Sequence, residues 1–184
     1  ANAPMNMAGI GERAAAARRY GDQRLALYKP LQAAGGSARA LPSGLPTAPI
    51  LAGWRALWSF EAANPQELEP PPYLARMRFA LAQAAAVLWR APQLWHEAAS
   101  WFAARGEVDA AREVWRRGIE VMPEQPLLYL GLSRIEERLG RVAEACELLQ
   151  RMLEAAPSPA GFVSRIDFAW RAQRVAEARR VFAA

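Results

Sequence analysis

Few residues of this 184-residue chain can take part in covalent or proton-transfer chemistry. His96 is the only histidine and Cys146 the only cysteine. A nucleophile needs a base within hydrogen-bond reach, and the repeat pattern set out below puts these two in different units. Cys146 falls on the apolar face of a helix, where it reads as a small hydrophobe. His96 stands beside Trp95 and reads as a helix-surface or inter-repeat residue. Glu136 and Glu137 are adjacent carboxylates, but neighbours on a helix point in different directions, which disfavours a catalytic dyad. No Cys/His set has metal spacing. No Gly-x-x-x-x-Gly-Lys-Ser/Thr loop is present to cradle a phosphate, and Lys29, the only lysine, lies in no such setting. The expectation is a protein that is no enzyme and takes no metal or cofactor.

The tryptophans offer a different chemistry, a platform on which bases could stack. Their spacing favours packing instead. Trp54, Trp95, Tyr129 and Phe162 open four candidate helices, at steps of 41, 34 and 33 residues. Pro92, Pro126 and Pro159 stand three residues before the last three openers, where a missing N–H costs a helix nothing. Large apolar residues follow six places after each opener: Phe60, Trp101, Ile135 and Phe168. Glu61 and Glu136 stand seven places after Trp54 and Tyr129, which argues for a structural role, with an arginine of a second helix as partner.

A second phrase marks those second helices. Ala111-Arg112-Glu113-Val114-Trp115 and Ala178-Arg179-Arg180-Val181-Phe182 are clear copies, with Ala145-Cys146-Glu147-Leu148-Leu149 between them in register. Trp95, Ala98, Ala99 and Phe102 follow helical spacing, as do Val142, Ala145, Cys146 and Leu149. Gly106 and Gly140 mark the turn inside each pair, and Pro123 and Pro157 close it. Each unit therefore reads as proline, helix A with an aromatic opener, glycine turn, helix B, stop. A unit of 33 or 34 residues cannot bury its own apolar face, so the units must stack. The expected fold is all-α, a right-handed superhelical solenoid of helical hairpins.

Bulk properties agree with a packed, unspecialised surface. The net charge of +5 is almost wholly arginine, spread over many helices without a basic run. Weak attraction to polyanions is permitted. One cysteine cannot close an internal disulfide, so a reducing compartment fits. The longest apolar stretch, 79–89, is about half the length of a membrane span and contains Gln83. No secretory leader is visible at 1–10. The chain opens without methionine and stops just after a helix B phrase, so it reads as a piece of a longer protein.

Along the chain, residues 1–32 read as a flexible start and the terminal helix of a preceding repeat. Residues 33–50, with Gly35-Gly36-Ser37 and four prolines or glycines after them, read as a linker. Residues 51–184 read as four repeats, at about 52–91, 93–123, 126–157 and 159–184. The first carries a stiff, acidic insert from Asn64-Pro65 to Pro70-Pro71-Pro72.

Ala111 to Ile119 with Pro123 resembles the half-a-TPR (HAT) repeat, departing at Arg116 and Gly118. The order of features resembles the suppressor-of-forked family, the large HAT subunits of cleavage stimulation factor. Ala17-Arg18-Arg19 leads to a proline-rich linker and then to Trp54-x-x-x-Trp58-x-Phe60-Glu61-x-x-Asn64-Pro65. Pro92-x-x-Trp95-x-Glu97-Ala98-Ala99, Leu127-Leu128-Tyr129 and Phe168-Ala169-x-Arg171-Ala172 follow. The resemblance implies a nuclear protein-binding scaffold of pre-mRNA 3′-end cleavage and polyadenylation. It implies an RNA-recognition subunit and a WD-repeat subunit as partners, homodimerisation through the second HAT half, and indirect contact with RNA. Alternative readings are a HAT scaffold of splicing or ribosome biogenesis, and an array that binds RNA directly. The positions expected to carry the repeat are Trp54, Glu61, Trp95, Trp101, Arg112, Trp115, Pro123, Tyr129, Glu136, Phe162, Phe168 and Arg179.

Overall fold

The computed structural model describes residues 7–35 and 47–172, all of whose regular structure is helical. The helices are α1 (Met7–Gly35), α2 (Thr47–Ala62), α3 (Pro70–Leu88), α4 (Pro92–Ala104), α5 (Val108–Val121), α6 (Pro126–Arg138), α7 (Val142–Ala155) and α8 (Pro159–Arg171). They form two compact units, one ending at Leu88 and one beginning at Trp89.

In the first unit α1 packs on α2 and α2 on α3. Trp54, Leu57 and Trp58 of α2 and Met77, Ala80 and Leu81 of α3 are buried, and α1 contributes Tyr20. The helices reach further than the sequence reading places them. Leu31-Gln32-Ala33-Ala34 are good helix formers and carry α1 on to Gly35, into the stretch read as linker. α2 begins at Thr47, because a proline such as Pro49 fits the first turn of a helix.

In the second unit each helix packs on the next from α4 to α8, and α4 also meets α6. α4, α6 and α8 all begin at the prolines Pro92, Pro126 and Pro159. The turns after α4 and α6 are the same structure. Gly106 and Gly140 take φ of 80° and 74°. The amides of Gly106 and Glu107 donate to the carbonyls of Ala103 and Phe102, and those of Gly140 and Arg141 to Glu137 and Glu136. This is the Schellman arrangement, in which a left-handed glycine lets the last carbonyls of a helix find partners.

The first unit turns differently. Asn64 takes the left-handed place at φ 51°, and its side-chain amide both donates to and accepts from the backbone of Leu68, at 2.9 Å each. The Asn-Pro phrase is thus a cap followed by a closed loop.

Close approach in the second unit depends on small residues. Ala98, Ala99, Ala111 and Ala145 are fully buried. A Cβ at Gly131 would fall on the indole of Trp115, and one at Gly118 would lie 3.0 Å from Cβ of Trp95. A side chain at position 118 would therefore crowd Trp95 and Leu128.

Candidate functional site

The seventh place after each opener lies in the last turn of helix A, and it is buried in all four such helices: Glu61, Phe102, Glu136 and Ala169. Two of these are carboxylates, and each is neutralised by an arginine from the preceding helix. A buried charge needs such a partner, because desolvation otherwise outweighs its other interactions.

Glu61 on α2 accepts from Arg24 Nε at 2.6 Å and from the Tyr20 hydroxyl at 3.0 and 2.9 Å, both groups lying on α1. Arg24 also donates through Nη2 to Gln83 Oε1 on α3, so one guanidinium ties three helices together. Burial, and then the hydrogen bond to Glu61, push the Tyr20 hydroxyl up to about 12. The Arg76 guanidinium stacks over the Tyr20 ring at 5.2 Å.

Glu136 on α6 accepts from Arg112 Nε on α5 at 2.7 Å. Arg116 and Arg141 stand at 3.7 and 3.6 Å, too far for a hydrogen bond, and Glu136 Oε2 has none. The hydrogen bond to Glu136 raises the Arg112 pKa above its ordinary value. The neighbouring Glu137 holds Arg171 of α8 through two hydrogen bonds, at 3.0 and 3.1 Å.

The openers divide by depth. Trp54, Trp95 and Tyr129 are buried, and Phe162 is half-buried. Trp115 and Phe168 lie in the core. Trp101 does not: it is half-buried with the Arg105 guanidinium 3.8 Å from its ring centroid, and its neighbour Phe102 fills the core instead. The expectation of a core Trp101 is corrected. Turning by 100° per residue, a helix carries residue 102 onto the face that bears Trp95, Ala98 and Ala99. Pro123 follows Met122, the cap of α5. Arg179 lies outside the described residues.

The residues considered for catalysis are not assembled. His96 accepts at 3.4 Å, through Nδ1, from Trp115 Nε1 across the α4–α5 hairpin. Burial and the nearby Arg134 lower its pKa, against a smaller opposing effect of Glu97. Cys146 is half-buried on α7. Glu136 is engaged with Arg112. Among the described residues no group of three His, Cys, Asp or Glu side chains could hold a metal ion, and no helix is long and apolar enough to cross a membrane.

Sequence reasoning missed the α1 partners of Glu61. Tyr20 and Arg24 precede it by 41 and 37 residues, and no repeat spacing links them.

Arginine-to-glutamate ties join α1 to α2 and α5 to α6, and the sequence as a whole decides the family. Residues 15–184 match the family model described as suppressor of forked protein. The chain belongs to the suppressor of forked family. It is similar to cleavage stimulation factor subunit 77 of Arabidopsis thaliana, 29% identical over 129 residues. It is also similar to the mRNA 3′-end-processing protein RNA14 of Cryptococcus neoformans var. neoformans serotype D, 29% identical over 89 residues. These matches cover 70% and 48% of this chain but 18% and 8% of the two relatives. This suppressor of forked segment is accordingly a HAT-repeat array, with the hairpins described above as its units.

Proposed function

We propose that this chain is a protein-binding scaffold segment of the mRNA 3′-end-processing machinery, acting in the nucleus and performing no reaction itself. The match of residues 15–184 to the suppressor of forked family carries this reading, together with the processing roles in both relatives' names. The geometry supports it: Glu61, Glu136 and His96, the groups best suited to proton transfer, are each engaged in holding helices together. Partners under this reading are an RNA-recognition subunit and a WD-repeat subunit of the same factor, a second copy of the protein, and RNA only through them.

Crosslinking mass spectrometry of the full-length protein in nuclear extract tests it. Crosslinks to 3′-end-processing subunits are expected; crosslinks to splicing or ribosome-biogenesis factors alone overturn the assignment. RNA affinity of the isolated chain should be weak. A steep loss of affinity with added salt, from many released counterions, would instead support direct binding.

A further inference from the structure

In the second unit the first helices of successive hairpins pack differently from the second ones. α4 meets α6 directly, whereas α5 and α7 each pack on α6 and hardly meet one another. A groove of about 280 Å³ is left between them, over α6. Helical spacing turns one face of each helix toward it. α5 gives Arg116, Ile119 and Glu120, and α7 gives Glu144, Glu147, Leu148 and Arg151, each three or four residues from the next. Ile119, Leu148 and Leu132 of α6 are buried, so the floor of the groove is apolar.

The rim is acidic and accessible. Glu120, Glu144 and Glu147 are exposed, and none of the three makes a hydrogen bond or ion pair among the described residues. Glu136, which also lines the groove, is different: Arg112 holds it, and Arg116 and Arg141 stand close by, so a further cation would be repelled there. The unbalanced negative charge is therefore at the rim, where Arg151 alone faces three carboxylates. This is an acidic groove on a chain whose net charge is +5. Its charge selects the occupant. RNA would bring like charge to the rim, and the volume falls below the roughly 300–1,000 Å³ of small-molecule pockets. A single long side chain with a cationic end fits both the floor and the rim. Arginine suits it best: its methylenes can cover Ile119, Leu132 and Leu148, and its flat fork of five N–H donors can serve carboxylates on two helices at once.

We infer that this groove docks a basic segment of a partner protein. One arginine of that segment lies between α5 and α7, its stem on the apolar floor and its guanidinium among Glu120, Glu144 and Glu147. Charge at such a rim contributes more to partner choice and speed of association than to affinity. The inference goes beyond the 3′-end-processing reading, since it asks only for a protein partner of stated charge and is tested first on the chain alone.

The test titrates the methyl-labelled full chain with N-acetylarginine methylamide while the Ile119 and Leu148 methyl resonances are followed by NMR. Saturable shifts are expected, and N-acetylcitrulline methylamide, of the same shape but uncharged, should produce none at equal concentration. Glu120→Gln, Glu144→Gln and Glu147→Gln together, all at exposed positions, should weaken binding by about tenfold. Unmoved resonances, equal binding by the citrulline probe, or equal binding by the triple variant overturns the proposal. A photo-crosslinker at Ala143, exposed and one turn from Glu147, in the full-length protein within its purified assembly should attach to an arginine-bearing segment of another protein, and the triple variant should lose that attachment. Attachment to RNA, to a second copy, to a segment without arginine, or only within its own chain also overturns the proposal.

Discussion

Glu61 and Glu136 occupy the same place in two different units and are stabilised in different ways. Around Glu61 the two oxygens share the single proton of a tyrosine hydroxyl, and one of them also accepts from an arginine. Around Glu136 one oxygen carries a short arginine bond, and the second has only the field of a guanidinium at 3.6 Å. The repeat requires a neutralised carboxylate and leaves open whether directed bonds or surrounding charge neutralise it. The second solution depends more heavily on its single bonded arginine.

The largest effect expected from this contrast is that of Arg112→Ala. It leaves Glu136 buried without its bonded partner, at a cost of about 3 kcal/mol, the low end for a broken buried pair because Arg116 and Arg141 still stand at 3.7 and 3.6 Å. Arg24→Ala should cost clearly less, because the Tyr20 hydroxyl still donates to the Glu61 carboxylate. Urea denaturation followed by circular dichroism ranks the two, and an equal loss would remove the distinction drawn here.

Alkaline pH should act through the first unit. Tyr20 is raised from 10.0 to about 12. Below pH 10 both folded and unfolded chains keep the proton and this group adds no pH dependence. Between about pH 10 and 12 the unfolded chain loses the proton while the folded one holds it, so stability falls as pH rises. Tyr20→Phe should remove that part of the slope in alkaline denaturation curves.

A smaller effect belongs to the second unit. Gly131→Ala drives a methyl group into the Trp115 indole, costing about 1–3 kcal/mol and offset in part by alanine's helix preference of up to about 1 kcal/mol. A lowered melting temperature with altered tryptophan fluorescence is the expected readout. Smallest is His96, whose lowered pKa means that the folded chain prefers the neutral ring. Its contribution is present above pH 6.5 and is lost as pH falls through the folded value. His96→Gln should flatten that acid limb slightly, since glutamine can still accept from Trp115.

Much of the frame was legible because the repeat constrains residue type. Only glycine takes the left-handed turn easily, which marks Gly106 and Gly140, and proline is best tolerated at a helix start, which marks Pro92, Pro126 and Pro159. Trp54, Trp95 and Tyr129 recur because equivalent gaps need equivalent volumes. The error at Trp101 has a physical origin. Phe60, Trp101, Ile135 and Phe168 make the sixth place large and apolar in every repeat, so all were read as packing residues, although the face of Trp95, Ala98 and Ala99 leads to Phe102. In α2 and α4 the sixth residues, Phe60 and Trp101, are half-buried, whereas in α6 and α8 Ile135 and Phe168 are buried. The role of α1 was not legible, because Tyr20 and Arg24 act across three-dimensional space on a helix with no repeat phrase around Glu61's partners.

The carbonyls of Phe102 and Glu136 each close the turn that leads into the next helix, while their side chains differ completely. The joint is made by backbone atoms and the identity of the unit by what hangs from them. Substitution at this place can therefore change the adhesive between neighbouring hairpins, from an oily contact to an ionic one, without altering the angle at which the chain folds back on itself.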